Sequence, residues 1–223
     1  MLRIEFHAHT LFSRDSLARP EALLAALRRK GLDRLVITDH NTIAGARAAQ
    51  DLDPERVIVG EEIMTKGGEL LAAYVQEEVP PGLPPAEAIR RLRAQGAFIS
   101  VSHPFDRTRK GSWQLPALLE IAPLVDALET FNARCISPRS NILAQEFAVQ
   151  HGLSGTAGSD AHTAFELGRA TMLLPEFDDA ASLRTALPQA RFSVRLSSPL
   201  VHFTSRYAVW YKQVLVGKKK SAS

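Results

Sequence analysis

The sequence predicts an α/β fold, a mostly parallel sheet with helices packed outside it, either closed as a barrel or left open and doubly wound. Three observations carry this. Short apolar runs alternate with longer segments of helical periodicity from the first residue onward. Five of the seven histidines, with several aspartates and glutamates, stand at or just beyond the ends of the apolar runs, and no histidine stands inside one. The length, 223 residues, suits one large domain with a continuous core.

Taken in order, residues 2–6 read as the first strand. A helix follows over 20–31: Pro20 suits a first turn, Ala22, Leu23, Ala26 and Leu27 recur at helical spacing, and Gly31 can end it in the left-handed conformation. Residues 35–38 form the next strand, 43–51 a short helix and 57–59 a buried strand. Residues 69–75 follow too closely for an intervening helix, which predicts a local hairpin. Residues 79–85 contain four prolines and a glycine, which deny both helical and sheet hydrogen bonding, so a break or linker is expected there. The alternation then resumes with a helix at 86–95 ending at Gly96 and strands at 98–101 and 127–130. Next come a helix at 140–151 ending at Gly152, strands at 153–157 and 171–174, and a helix near 180–187. Residues 1–200 are expected to form the main domain. Residues 201–223 are expected to be a C-terminal extension, an apolar helix packed on the barrel with a frayed basic end over 216–223.

Composition excludes several classes. Hydrophobic residues are 45% and charged residues 23%, as in ordinary globular proteins, so disorder, collagen and a disulfide scaffold are disfavoured. Twenty-seven basic residues oppose 24 acidic ones, a net charge of +3, too balanced for nucleic-acid binding by bulk charge. Cys135 is the single cysteine, so neither an internal disulfide nor a cysteine-rich zinc site is available, which fits a reducing compartment. The start lacks the order of a signal peptide and no apolar run reaches the length of a membrane span. A cytoplasmic location is expected, with no membrane association and no obligate protein partner.

The polar residues carry the chemistry. His7 and His9 follow the first strand, Asp39 and His40 the second, and Glu61 and Glu62 the third; His103, then Glu129 and Asn132, then Asp160 and His162 end later ones. In parallel α/β folds the carboxyl ends of the strands converge on one face, where ligands bind. Imidazoles and carboxylates gathered without lysine or thiol suit zinc, manganese or iron. Residues two apart on an extended segment point the same way, so His7 and His9 can reach one ion. Each motif alone has an ordinary explanation: Asp39 and Asp160 as helix caps, His103-Pro104 as a strand end. Capping does not explain why five of seven histidines fall at strand exits.

The motifs His7-Ala8-His9-Thr10, Ser13-Arg14-Asp15-Ser16, Thr38-Asp39-His40, Gly60-Glu61-Glu62-Ile63, Ser102-His103-Pro104 and Gly158-Ser159-Asp160-Ala161-His162 resemble, in order, the PHP (polymerase and histidinol phosphatase) domain. The resemblance covers residues 2 to 175. It implies a distorted seven-stranded (β/α) barrel, two to three divalent transition-metal ions (zinc, manganese or iron) in a trinuclear cluster, and phosphoester hydrolysis. Carried over position by position, it implies one metal on His7, His9, Glu61 and Asp160. Glu61 bridges to a second metal with His103, and a third sits on Asp15, His40 and His162. Where the family often presents a histidine this chain has Glu69, a carboxylate that can replace imidazole.

Such a cluster would turn water into hydroxide and neutralise phosphoryl charge, so no nucleophilic side chain is needed. His7, His9, Glu61, His103 and Asp160 are the expected catalytic set, and no Gly-x-Ser-x-Gly motif competes with it. Arginine grips phosphate bidentately, which makes Arg134, Arg107 and Arg139, with Asn132, the substrate-binding candidates. His151 and His202 are assigned no role in catalysis. The expected substrate is a small phosphomonoester or nucleotide. The alternative is a short single-stranded oligonucleotide, for which Tyr207, Trp210 and Tyr211 among basic residues supply stacking and charge. A non-catalytic metal-binding module and metal-assisted amide hydrolysis are further alternatives.

Overall fold

A computed structural model of the chain describes residues 1–220, with side chains to residue 215. The strands are β1 (Leu2–Ala8), β2 (Arg34–Ile37), β3 (Val57–Met64), β4 (Glu69–Ala73), β5 (Phe98–Val101), β6 (Ala127–Asn132), β7 (Ser154–Gly158), β8 (Ala170–Leu174) and β9 (Arg191–Val194). The helices are α1 (Pro20–Arg29), α2 (Ala44–Leu52), α3 (Pro85–Ala94), α4 (Leu115–Ile121), α5 (Pro138–Gln150), α6 (Ala180–Ala186) and α7 (Val201–Lys220). Among the described residues no helix is long and apolar enough to cross a membrane.

The sheet runs β7-β6-β5-β4-β3-β2-β1-β8-β9. β1, β2 and β3 are parallel, β4 is antiparallel to both neighbours, and β5, β6 and β7 are parallel again. The two ends of this seven-stranded set meet where Ala8 bridges Ala161, with His9 N donating to Ala161 O at 2.8 Å. The fold is therefore a nearly closed, distorted (β/α)7 barrel, to which β8 and β9 add antiparallel strands alongside β1. β9 and α4 have no counterpart in the sequence reading. β9 is exposed along its length, and α4 is a single short helix, so neither carries a strong periodic signal.

Residues 79–85 are not a linker. Gly82 N donates to Met64 O, Lys66 N donates to Leu83 O and Val79 is buried, so the segment is stitched onto the end of β3 before Pro85 opens α3. α7 extends to Lys220, so the backbone over 216–220, expected to fray, is helical; residues 221–223 lie outside the described residues.

Two apolar clusters flank the sheet. One fills the space under α1 to α5. The other gathers Phe6, Val36, Ile58, Phe98 and Ala127 with Phe177 and α6. Arg184 of α6 donates to Ala97 O and Asp126, just ahead of β5 and β6, so this second cluster plugs the barrel at the N-terminal ends of its strands. The opposite end is left for polar side chains.

Glu5 seals the seam. Its buried carboxylate accepts hydrogen bonds from Ser159 N at 2.8 Å, Gly168 N at 2.9 Å and His7 N at 3.3 Å, and from the Ser159 hydroxyl. Burial pushes this carboxyl up to about 7, against those four donors. Glu5→Gln turns an NH2 toward backbone N–H groups and is expected to cost about 1–3 kcal/mol. The folded pKa lies above the ordinary 4.5, so the glutamate's contribution is full below that value and declines as pH rises toward about 7. Urea unfolding of both proteins at pH 5 and pH 8 is expected to give the larger wild-type advantage at pH 5.

Candidate metal centre

The backbone aims the cluster. Between Glu5 and Ala8 the β1–β2 register shifts by one residue, a bulge that re-aims the strand, so that Phe6 joins the lower core while His7 turns into the site. Gly158 allows it, since a Cβ there would lie 2.2 Å from His7 Cβ and 2.9 Å from Glu129 Oε1. Pairing of β2 with β3 continues past Ile37 and sets His40 opposite Glu62. Because β4 runs backward, its first residue, Glu69, lies at the end where the parallel strands finish. Asp160, at φ +52°, adopts the left-handed conformation that aspartate tolerates better than most residues.

Three overlapping groups result. His7 Nε2 and His9 Nε2 are 3.0 Å apart, each 3.4 Å from Glu62 Oε2, with Asp160 Oδ1 at 3.6 and 3.2 Å. His103 Nε2 lies 3.2 Å from Glu62 Oε1 and 3.6 Å from Glu69 Oε2, and His40 Nδ1 lies 3.0 Å from Glu62 Oε2 and 3.8 Å from Glu69 Oε1. Asp15 Oδ2 lies 3.5 Å from His40 Nε2 and 3.3 Å from His162 Nε2. Glu62 belongs to the first two groups, as a bridging carboxylate would.

The donor chemistry fits divalent cations. Ligands held at about 2.0–2.2 Å from one ion stand at roughly these mutual separations. Glu62 Oε2, Asp160 Oδ1 and His103 Nε2 are buried without a hydrogen-bond partner and face the cluster. Outer partners fix the rings. Ser13 Oγ donates to Asp39 at 2.6 Å and so accepts from His9 Nδ1, leaving the His9 Nε2 lone pair turned inward. Glu129 Oε1 holds His7 Nδ1 at 2.9 Å, while its Oε2 accepts from His103 N and Asn132 Nδ2.

Without a cation the groups neutralise one another. Burial disfavours the charged form of Glu62, yet His7 and His40 hold it well below the ordinary range, and Arg109 and His7 do the same for Asp160. Burial, with His162 and His40 nearby, pushes His9 down to about 3.

The structure brings His7, His9, Asp15, His40, Glu69, His103, Asp160 and His162 together, and corrects the sequence reading elsewhere. Glu61 is not in the cluster. On β3, Val57, Val59 and Glu61 face the helices while Ile58, Gly60 and Glu62 face the barrel interior, and Glu61 accepts from Val79 N at 3.0 Å behind the sheet. The signal was the period of two, hidden by ending the strand at residue 59. Arg134 is enclosed: Nη1 lies 2.6 Å from His162 Nδ1, Nε 3.1 Å from Glu166, and Nη2 donates to Val201 O and Ser205 Oγ. Asn132 is fully buried and its amide is taken up by Glu129, Asp160 and the Arg134 backbone, so it holds those side chains in place instead of reaching outward. Arg107 and Arg139 are exposed and line no part of the cleft above the cluster. Asp39 does not cap α2; it ties down the loop after β1 through Thr10 and Ser13.

Sequence reasoning placed Glu62 and Glu129 at strand exits without giving either a role, and it missed Arg109, which pairs with Asp160 and Asp106. Arg109 comes from the long loop after β5, where no periodicity points at the cluster. It lines a cleft of about 660 Å³ together with Arg14, Lys110, Arg134, His40, Glu69 and His162, and His202 and Ser205 of α7 form part of the same wall.

The PHP domain profile matches residues 5–78, and the PHP-associated profile matches residues 138–192. Uncharacterized protein MJ0417 of Methanocaldococcus jannaschii is 34% identical over 180 residues, 79% of this chain and 72% of that protein. The chain belongs to the PHP domain family. Among solved structures, a two-domain protein of Bacteroides vulgatus containing a predicted PHP-like metal-dependent phosphoesterase superposes with TM-score 0.69 at 19% identity, over 87% of this chain and 65% of that one. This PHP chain thus spans just under two thirds of that protein. The lesion-specific endonuclease PfuEndoQ of Pyrococcus furiosus shares the fold at TM-score 0.59 and 14% identity, over 89% of this chain and 59% of its own.

Glu62→Gln is expected to weaken metal binding by more than about 100-fold, beyond what loss of an outer partner costs. Glu61→Gln should leave binding unchanged. Competition against a chromogenic chelator separates the two.

Proposed function

We propose that this PHP protein is a metal-dependent hydrolase of phosphoesters that acts on a small phosphomonoester or nucleotide with two to three zinc, manganese or iron ions. The observation that carries the reading is the convergence of His7, His9, Glu62 and Asp160, with inward-facing unpartnered atoms, beside an open cleft that holds cationic side chains. When bound, such ions lower the pKa of water toward about 7 and neutralise phosphoryl charge.

The chain's own residues supply the rest. His7, His9, Glu62 and Asp160 would hold the first ion, Glu62, His103 and Glu69 the second, and Asp15, His40 and His162 the third. Glu129 and Asn132 keep the ligands oriented. Arg109, with Arg14 and Lys110 at the cleft, is the group best disposed to meet phosphoryl oxygens, in place of the enclosed Arg134. Cys135 is buried and burial pushes its thiol up, which makes it a poor nucleophile.

A second reading, trimming of short single strands, is favoured by one feature. α7 exposes Tyr207, Trp210 and Tyr211, with Tyr207 and Tyr211 stacked at 6.0 Å, and residues 201–223 contain no acidic side chain. The Pyrococcus furiosus neighbour is an endonuclease.

Protein purified without added metal is expected to carry two to three transition-metal ions per chain by elemental analysis, and Asp160→Ala to lose both metal and aryl phosphatase activity. Absence of metal and activity after zinc, manganese or iron addition overturns the proposal. Phosphomonoesters, nucleoside bisphosphates and short oligonucleotides assayed side by side decide the substrate. Trp210→Ala is expected to leave KM for an aryl phosphate unchanged, and a raised KM for oligonucleotides alone would favour the second reading.

A further inference from the structure

The third ligand group is built differently from the other two. Asp15 and His40 have side chains 22% exposed, whereas those of His7, His9, Glu62, His103 and Asp160 are fully enclosed. Asp15 also stands on an irregular loop, residues 9–19, not at a strand end. From inside, that loop is held by Asp39 through Thr10 and Ser13. On its outer side it meets α7, where Lys212 Nζ donates to Leu11 O and Ser13 O.

The same helix reaches His162. Arg134, whose Nη1 abuts His162 Nδ1 and whose Nε faces Glu166, donates through Nη2 to Val201 O at 2.8 Å and Ser205 Oγ at 2.9 Å, and His202 Nε2 lies 3.1 Å from Arg134 O. Glu166 in turn accepts from His162 N at 3.2 Å. Ser205, buried Ala208 and Lys212 recur at i, i+3 and i+7, which is one face of a helix. That stripe lies against the site, and a cavity of about 200 Å³ between helix and cluster is lined by Asp15, His162, Thr204, Tyr207 and Ala208.

We propose that α7 is a clamp that sets the spacing between Asp15 and His162, and thereby makes the third cation site depend on the C-terminal helix more than the first two, of whose residues only His9 shares the Asp15 loop. The inference rests on the metal-dependent reading above. Lys212 is a positioning residue in this scheme, acting through two carbonyls of the Asp15 loop. Holding that loop in place is an outer-partner role, and the loss of such partners typically costs metal affinity about 10- to 100-fold.

The test is zinc or manganese titration of the metal-free full chain by calorimetry, on wild type, Lys212→Met, Lys212→Arg and Ser205→Ala, with thermal unfolding of each metal-free protein. Lys212→Met is expected to weaken one binding step about 10- to 100-fold and leave the others in place. Lys212→Arg should recover most of that loss, and Ser205→Ala should weaken the same step by less. An isotherm unmoved by Lys212→Met overturns the clamp. Equal weakening of every step, with a lowered metal-free melting temperature, also overturns it, since α7 would then be a general support. A wild-type chain that takes up no metal overturns the clamp and the metal-dependent reading together.

Discussion

The burial of five imidazole and carboxylate side chains in one place governs the rest of this structure. His7, His9, Glu62, His103 and Asp160 are enclosed within hydrogen-bonding reach of one another. Any one of them buried alone and charged would cost several kcal/mol, roughly. Together the carboxylates and imidazoles offset one another, and Arg109 adds a positive charge against Asp160. Atoms that face inward without partners mark where this mutual neutralisation is incomplete and where a cation would complete it.

The distortions of the barrel answer to that cluster. A regular β1 would send Phe6 and His7 to opposite faces, and the bulge brings both inward at different depths. A uniformly parallel barrel would have no strand beginning at the site, whereas the reversed β4 delivers Glu69 there through a tight turn from Met64. The apolar plug around Phe6, Phe98 and Phe177 closes the far end, which confines the polar groups to the mouth. Glu5 answers the same constraint: it is a buried carboxylate two residues before His7, but it is taken up by the N–H groups that the imperfect closure of β1 and β7 leaves free.

The groups of the cluster stand on different kinds of support. The first two groups sit largely on strand ends tied by Glu129, Asn132 and Ser102. The third, and the cleft wall above it, involve the loop carrying Asp15 and helix α7. Cationic side chains at the cleft come from loops, Arg14 after β1 and Arg109 and Lys110 after β5, and Arg109 is also paired with Asp160 of the cluster.

The alternation of apolar runs and helical segments, with polar residues at the strand exits, carried the fold class and the gathering of His7, His9, His40, His103, Asp160 and His162, because strand ends on one edge of a parallel sheet must converge; Asp15 and Glu69 were legible only through the family resemblance. Three things depended on tertiary structure. Which of Glu61 and Glu62 faces the interior follows from which face of β3 the helices cover, a fact about packing on Val57 and Val59 and not about composition. Whether an arginine is free to meet substrate depends on its neighbours: Arg134 is consumed by His162, Glu166 and α7, and Arg109 arrives on a loop without periodicity. The partner of the Asp15 loop is Lys212, about two hundred residues away in sequence, and only the path of α7 across the mouth of the barrel joins them.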